Sequence, residues 1–507
     1  PESGAPLVLV DVGAPGQPGG SRSGRVAAPG LAALPLVGDT GPEGGQGRGV
    51  AADLEDGSIE LKNASAIERP DDINMLLVNA GAPPTRLLVE EEGKPRAANA
   101  EAMEWVATTF DYYAELGRNV RGRVIPSNER SQFNFVLKEP YGVVGCIVPW
   151  NFPLLLLAWK MAPALAAGNT VVIKPSEMTP LSTLRFVELC CAHLPPGVVN
   201  VVTGFGDAGQ ALAQHPDVPV IAFTGSVTTG QKIATLAAPM MKHLHLELGG
   251  KDAFVVGPDA DLGTAVEALA YAALINAGQV CTSSERVYVP SHLRDEFAAG
   301  VTDFLRGLKL GDGREADTDI GPMIGTEYRA KVANQVDQAR QAGARVLTGG
   351  KIPERRGYFY EPTVLVNVNH TMPIMTEETF GPTLVINTVR HMDEAVDLAN
   401  ATSYGLGAAV WSKRNGKKIA SLLNCGMVSI NSAFSFAAIA SVPFGGVKDS
   451  GYGRIHGAEG LLEFTYPRTI VKTKFNIPLQ FTSFQRTGFA DKTIVRLVNL
   501  LHRRRIR

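Results

Sequence analysis

Apolar residues recur along most of this chain in short runs that are separated by amphipathic stretches. The runs at 143–148, 170–173, 198–203 and 220–223 have the length and β-branched content of buried strands. The stretches at 181–194 and 226–236 have the apolar spacing of helices. Strands that alternate with helices are typical of a mostly parallel sheet with crossover helices, so the pattern predicts an α/β fold.

A second alternating block occupies residues 253–440. It predicts helices at 260–277 and 392–399, and strands at 286–289 and 384–386. The stretches 123–135 and 468–475 are predicted to be exposed strands outside both blocks. No repeat of fixed period is present, which argues against a solenoid.

The N-terminal segment departs from this regular pattern. Residues 1–50 contain thirteen Gly and seven Pro, a composition that predicts loop or disorder rather than a core element. Regular patterning resumes near Leu87, in a short helix that should end at Gly93 and Pro95. Because the change is abrupt, we expect part of residues 1–86 to derive from a shifted reading frame or an altered start. Resequencing of the gene and an intact mass would test this expectation.

Composition limits the function classes further. At ~150 residues a domain, the 507 residues correspond to about three domains. A formal net charge of -2 gives no basic field, so we expect no nucleic-acid partner. The five cysteines are irregularly spaced and match no metal-ligand pattern, which favours a reducing compartment and a cytoplasmic protein. The longest apolar run, 154–159, is far shorter than the ~20 residues of a membrane span.

The C-terminal tail, residues 476–507, ends in a mixture of leucines and basic residues. Such a tail can lie on an acidic membrane surface. A solvated or oligomer-packed tail is the favoured interpretation.

Two residues thirty-four positions apart stand out as candidate chemistry. Cys281 follows Gly278 and has small polar neighbours, and Glu247 precedes a Gly-Gly pair. A thiolate can attack a substrate covalently, and a carboxylate can activate the water that releases the product. A cysteine is more often a small buried hydrophobe, so the residue types alone leave both interpretations open.

Glu247 also belongs to a strand-like alternation in which His243 and His245 share its face. That face is either a metal site or an ordinary polar strand face. No further ligand completes a metal shell, so we expect no metal.

Two glycine-rich segments are candidates for a phosphate site. The first, 204–209, matches GxGxxG, but no acidic residue follows at a suitable strand end. In the second, 223–230, a strand ends and a helix begins at Ser226, which is either a phosphate contact or a plain N-cap. Lys174 and Glu177 follow a strand, where a doubly wound sheet holds its ligand. Glu177 can accept hydrogen bonds from a ribose diol and would repel a 2′-phosphate.

Taken together, these segments resemble the NAD(P)-dependent aldehyde dehydrogenase superfamily from about Leu87 to Phe475. The matching motifs are PWNFP (149–153), KPSE (174–177), FTGSVTTG (223–230), ELGGK (247–251), GQVC (278–281), EETFGP (377–382) and PFGGVK (443–448). The resemblance implies a doubly wound Rossmann-like cofactor domain, an α/β catalytic domain and a small β oligomerisation arm. Thr379 stands where the family more often has an apolar β-branched residue, and we expect little consequence.

The resemblance also implies roles at matching positions. Cys281 would be the nucleophile, Glu247 the general base and Asn151 the side-chain donor to the oxyanion. Phe152 and Trp159 would line the substrate pocket. The implied cofactor contacts are Pro149, Trp150, Lys174, Glu177, Gly225, Ser226, Gly230, Leu248, Glu378 and Phe380.

The implied reaction oxidises an aldehyde to a carboxylic acid through a thiohemiacetal and then a thioester of Cys281, which water hydrolyses. NAD is the expected cofactor and NADP the less favoured one. Two alternatives remain open: a coenzyme A-acylating aldehyde dehydrogenase, and a non-catalytic binding protein with this fold. Glu247 favours hydrolysis, because acyl transfer to coenzyme A has less need of a water-activating base.

The resemblance further implies a partition of the chain into domains and a homodimer or homotetramer, because exposed edge strands seek partners. The predicted parts are an atypical N-terminal segment (1–86), a cofactor domain (87–121 and 141–248, with 448–466), a catalytic domain (249–447), an oligomerisation arm (122–140 and 467–475) and a tail (476–507).

Overall fold

The computed structural model describes residues 51–53, 58–60, 83–127, 131–474, 484 and 487–503. The expectations for residues 1–50, and for most of 51–86, therefore lie outside the described residues. The strands are β1 (Ala51–Asp53), β2 (Ser58–Glu60), β3 (Arg123–Ile125), β4 (Gln132–Pro140), β5 (Val143–Ile147), β6 (Thr170–Lys174), β7 (Val199–Val201), β8 (Val220–Thr224), β9 (His243–Glu247), β10 (Ala253–Val256), β11 (Arg286–Pro290), β12 (Arg345–Thr348), β13 (Thr363–Val366), β14 (Thr383–Val389), β15 (Gly407–Trp411), β16 (Met427–Ile430), β17 (Gly451–Tyr452) and β18 (Thr465–Thr473).

The α-helices fall between these strands. They are α1 (Pro83–Glu92), α2 (Arg96–Gly117), α3 (Pro153–Ala166), α4 (Pro180–Cys191), α5 (Gly206–Gln214), α6 (Val227–Ala237), α7 (Leu262–Leu274), α8 (Arg294–Gly307), α9 (Thr326–Gln341), α10 (Pro373–Thr376), α11 (Met392–Asn400), α12 (Gly416–Ala420), α13 (Gly457–Leu462) and α14 (Gly488–Arg503). No described helix is long and apolar enough to span a membrane.

The first large sheet has the strand order β17-β9-β8-β5-β6-β7. Strands β5 to β9 run parallel, and short β17 pairs antiparallel with β9 at one edge. The chain passes from β5 to β6 and β7 on one side, then returns to β8 and β9 on the other. The strand order therefore reverses between β5 and β8, where doubly wound sheets bind ligands at the carboxyl ends of their strands. The predicted doubly wound α/β fold is confirmed.

The second large sheet has the order β12-β13-β14-β11-β10-β15-β16, and only β12 is antiparallel to its neighbour. The segment 248–252 connects β9 of the first sheet to β10 of the second. Helices α7, α8 and α9 pack their apolar residues on this sheet and bury Phe254, Leu269 and Phe297 completely. Both sheets consist of continuous apolar strands because helices cover their faces.

Val120–Glu139 and the described residues from Tyr466 onward form a separate compact unit. It contains a three-stranded sheet in the order β18-β4-β3, followed by α14. The prediction of one strand over 123–135 is wrong, because two antiparallel strands form there and the second continues to Pro140. The strand predicted at 468–475 begins earlier, at Thr465, and Phe475 lies outside the described residues. The functional domain boundaries stay a prediction.

Helix α7 ends three residues earlier than its amphipathic pattern predicts. Asn276, Ala277 and Gly278 all have positive φ, of 54°, 54° and 72°. A right-handed helix cannot continue through left-handed backbone. The chain therefore turns away after Leu274 and leads into Cys281.

Candidate functional site

The Cys281 turn is held in a conformation that requires glycine at Gly278. That residue has a φ of +72°, and a Cβ there would collide with the backbone of Gly381. Gly250 is constrained in the same way, because its Cβ would collide with the carbonyl oxygen of Cys281. Two of the predicted motifs, ELGGK and EETFGP, thus pack directly on the turn that carries the cysteine.

Cys281 and Glu247 lie side by side in this packing. Glu247 ends β9 and is 1% exposed, and neither carboxyl oxygen has a hydrogen bond of normal geometry within the described chain. Burial raises the pKa of Glu247. Burial, followed by the charge of Glu247, raises the pKa of the Cys281 thiol well above its usual value. The two groups therefore compete for one proton. A nucleophile and its general base need this relation.

Burial also raises the pKa of the other four thiols, Cys146, Cys190, Cys191 and Cys425. What distinguishes Cys281 is its side-chain contact with the carboxylate of Glu247, since its partial exposure is shared by Cys425.

Lys160 is a further residue of this site, and sequence reasoning missed it. It lies on α3, is completely buried, and donates to the hydroxyl of Thr224 and to the carbonyl of Leu156 at 3.3 Å. Burial lowers its pKa to about 8, and the charge of Glu247 acts in the opposite direction. The sequence did carry one signal for Lys160: it is a single charged residue in an otherwise apolar helix. Burying an unpaired lysine costs free energy, so such a residue is expected to have a specific partner.

Asn151 is anchored beside the cysteine. Its Nδ2 donates to the carbonyl of Gln279 at 3.0 Å, two residues before Cys281. The side chain of Asn276 donates to the backbone carbonyl of Asn151 at 2.9 Å, so both the side chain and the backbone of Asn151 are tied to the turn. The structure thus brings together Cys281, Glu247 and Asn151.

The predicted cofactor residues lie at the carboxyl ends of neighbouring parallel strands. Pro149 and Trp150 follow β5, Lys174 ends β6, and Leu248 follows β9. The Nζ of Lys174 pairs with Oε2 of Glu177 at 3.1 Å, and Glu177 is partly exposed. These ends surround the position where the strand order reverses, as a nucleotide site requires.

The β8–α6 turn is closely packed at its two glycines and has an exposed hydroxyl at the helix N-terminus. The Cβ of an alanine at Gly230 would lie 2.6 Å from the Leu248 side chain, and one at Gly225 would lie 2.5 Å from the Phe223 ring. Ser226 caps α6 by accepting from the N–H of Thr229 at 3.2 Å, and it remains exposed. The helix N-terminus is therefore open to an anion.

The competing segment at 204–209 lacks this construction. Nothing lies within 4 Å of a Cβ at Gly206 or at Gly209. A larger residue would fit at either position, so packing does not require glycine there. The GxGxxG spacing at 204–209 therefore does not indicate a close approach to a ligand.

Glu378 and Phe380 lie across the cleft from the strand ends. Oε1 of Glu378 accepts from the N–H of Gly250 at 3.1 Å, and burial raises its pKa to about 7. The ring of Phe380 meets Trp150 edge to face at 5.5 Å. Segments from both sheets thus converge on one cleft.

The two predicted pocket residues have different surroundings. Trp159 is buried and packs on Phe444 at a centroid distance of 4.7 Å. Phe152 is half-buried, and the Nζ of Lys94 lies 3.7 Å from its ring centre. Phe152, Trp159 and Cys281 belong to one apolar cluster.

The histidines next to Glu247 have separate partners. His243 contacts Oε2 of Glu463 at 3.0 Å and stacks on Tyr141. Burial lowers the pKa of His245 to about 3, so that imidazole stays neutral. Across the described ranges, no group of three or more His, Cys, Asp or Glu side chains is arranged to hold a metal ion.

Comparison with known families gives one match over most of the chain. The model of the aldehyde dehydrogenase family matches residues 72–470. A betaine aldehyde dehydrogenase of Bacillus subtilis (strain 168) is 42% identical over 420 residues, which are 81% of this chain and 83% of that protein. A peroxisomal aminoaldehyde dehydrogenase of Pisum sativum is 41% identical over 378 residues, 73% of this chain and 75% of that protein.

Solved structures give the same result. A betaine aldehyde dehydrogenase of Staphylococcus aureus, in complex with NAD+, has a TM-score of 0.78 and 36% identity over 83% of this chain and 85% of that one. An E. coli NADP-dependent enzyme has a TM-score of 0.77 and 35% identity over 80% of this chain and 84% of that one.

Proposed function

Because the chain belongs to the aldehyde dehydrogenase family, we propose that it oxidises an aldehyde to a carboxylic acid, with NAD+ as the hydride acceptor. The observation that carries this proposal is the buried pair of Cys281 and Glu247, with the Asn151 amide anchored two residues before the cysteine.

The residues divide the reaction between them. The Cys281 thiol loses its proton to Glu247, and its sulfur bonds to the aldehyde carbon, forming a thiohemiacetal. Asn151 Nδ2 and the backbone N–H of Cys281 donate to the resulting oxyanion. The nicotinamide, when bound, accepts the hydride, and a thioester remains on Cys281. Glu247 releases the thiol proton to solvent and then takes a proton from water, whose oxygen attacks the thioester carbon, so that the C–S bond breaks and the acid is released.

The residues around the first cleft fit a dinucleotide. Gly225 and Gly230 let Phe223 and Leu248 pack closely against the β8–α6 turn, and Ser226 offers an exposed hydroxyl at the α6 N-terminus. Glu177 supports NAD+ over NADP+, because its carboxylate can bind a ribose diol and would repel a 2′-phosphate. A solved relative carries NAD+ in its complex, which supports the same choice.

A cationic aldehyde is the proposed substrate class. Several relatives are named for betaine aldehyde or aminoaldehydes. The apolar cluster near Cys281 contains Trp159, Phe434, Phe436 and Phe444. Aromatic faces attract cations by ≈ 0.5–2 kcal/mol each.

The experiment compares NAD+ and NADP+ reduction over betaine aldehyde, aminoaldehydes and uncharged aldehydes, for the native chain and two variants. We expect Cys281→Ala to abolish reduction. Glu247→Gln is expected to slow the first release of NADH, because the base for Cys281 is lost, and to stall after about one NADH per active site, because the thioester is not hydrolysed. Retained turnover in Cys281→Ala contradicts the mechanism.

Added coenzyme A tests the acylating alternative in the same assay. Turnover that depends on coenzyme A would favour acylation, whereas an absence of NAD+ binding would favour a non-catalytic protein. A cytoplasmic location stays a prediction, and some relatives are named as peroxisomal or chloroplastic.

A further inference from the structure

We infer that Glu285 is a positioning residue, which holds the cofactor-contacting segment 378–381 against the Cys281 turn. The inference rests on the proposed function, because Glu378 and Phe380 are contacts of the cofactor only if NAD+ binds. Glu285 takes no part in the proposed chemical steps, so its positioning role is additional to them.

Glu285 holds the segment through its backbone. The carboxylate accepts from the N–H of Thr379 at 3.0 and 3.2 Å and from the N–H of Phe380 at 3.0 Å. Glu285 is 2% exposed. A buried carboxylate that accepts from two successive amides fixes the direction of that peptide, since charge-assisted hydrogen bonds are the strong ones.

Lys251 completes the contact. Its buried Nζ pairs with Oε2 of Glu285 and also donates to Oγ1 of Thr379 at 2.9 Å. Thr379 therefore uses both its amide and its hydroxyl. The expectation that this threonine has little consequence stays a prediction, and the hydrogen bond weighs against it, because an apolar residue there would leave Lys251 with one partner fewer.

The held segment is strained, which explains why it needs an anchor. Phe380 has a φ of +58°, in the left-handed region that a residue with a bulky side chain rarely adopts. Two residues earlier, the carboxylate of Glu378 packs closely against Gly249, where a Cβ would lie 2.7 Å from a Glu378 carboxylate oxygen. Small movements of this segment would therefore displace both contacts of the cofactor.

Glu285 also lies in the segment that directly follows the nucleophile Cys281. It lies four residues after Cys281, and its own carbonyl accepts from the N–H of Val385 at 3.0 Å. Its backbone is thus fastened to β14 while its side chain holds the segment just before β14. One residue couples the position of the nucleophile turn to the position of the cofactor segment.

The test uses Glu285→Gln together with the matched pair Thr379→Val and Thr379→Ser. Hydrogen exchange of the amides of Thr379 and Phe380 is measured in cofactor-free protein, and the Kd for NAD+ by calorimetry. We expect Glu285→Gln to speed exchange and to raise the Kd about tenfold. Thr379→Val should raise the Kd about threefold, whereas Thr379→Ser, which keeps the hydroxyl, should match the native chain.

Three outcomes would overturn the inference: native exchange in Glu285→Gln, a lowered melting temperature with an unchanged Kd, or equal damage from Thr379→Ser and Thr379→Val. If Glu285→Gln does not fold, the threonine pair decides. If the native chain binds no NAD+, the proposed function fails, and the exchange rates still decide whether Glu285 holds the segment.

Discussion

At Glu247, burial and a neighbouring lysine act in opposite directions on the pKa of one carboxyl group. Burial raises that pKa and is the larger effect, and the charge of Lys160 lowers it. Glu247 thus becomes a better proton acceptor than a surface glutamate, while the charge of Lys160 limits the rise in its pKa. Glu247 and Cys281 were candidates by residue type and received their roles from the family resemblance, whereas Lys160 was not predicted.

We expect the rate of the acylation step to rise with pH in the native chain, since the pKa of Glu247 is raised and only its ionised carboxylate can take the proton of Cys281. Lys160→Met removes a charge that lowers the pKa of Glu247. The acidic limb of the pH–rate profile should therefore move to higher pH by about one unit. Pre-steady-state NADH formation between pH 5.5 and about 9 measures it.

Lys160→Arg, which keeps the charge, is the control for the pH profile. An unshifted limb in Lys160→Met would contradict the electrostatic role of this lysine. A loss of rate at every pH without a shift would indicate a packing role instead.

At the scale of elements, the two glycine-rich segments differ in what surrounds their glycines. In the β8–α6 turn, the missing Cβ atoms at Gly225 and Gly230 are required by contacts with Phe223 and Leu248. In α5 the space around Gly209 is open. The GxGxxG spacing at 204–209 was already discounted in the sequence, because no suitable acidic residue follows it, and the open space at Gly209 agrees with that interpretation.

Gly230→Ala is expected to push Leu248 aside, to raise the KM for NAD+ several-fold and to destabilise the protein by about 1 kcal/mol or more. Gly209→Ala, the matched control, should leave the KM unchanged and stabilise α5 by about 0.5–1 kcal/mol. Steady-state kinetics and chemical denaturation measure both effects. Equal KM values in the two variants would contradict the assignment of the β8–α6 turn.

At the scale of the whole molecule, the unit that contains β3, β4 and β18 exposes apolar residues on short edge strands. Val124 on β3 is 63% exposed and Val471 on β18 is 58% exposed. Edge strands of this kind pair with other chains unless charge or a covering element prevents it. This unit supports the expected homodimer or homotetramer.

Light scattering after size exclusion is expected to give two or four times the chain mass of 53.9 kDa. Val124→Lys should shift the mass towards the monomer, because it puts a charge on the edge strand. Val124→Thr, which keeps a β-branched residue, serves as the control. A native monomer would contradict the expectation.

Local pattern predicted most of the parallel strands and the fold class. The strand predicted at 220–223 is β8, and the helix predicted at 226–236 is α6 shifted by one residue. These predictions succeed because burial on both faces leaves a continuous apolar run. The early end of α7 was not predictable, since the positive φ of Asn276 and Ala277 is imposed by the packing of the Cys281 turn.

The sequence by itself determined the α/β class, the family resemblance and the identity of the reactive residue types, because these depend on local patterns and motifs. The tertiary structure decided which residues meet: Lys160 beside Glu247, and Glu285 with Lys251 beneath Thr379. Those pairs are separated by 34 to 128 positions in the chain. Their proximity depends on how the strand ends converge, and no local pattern carries that information.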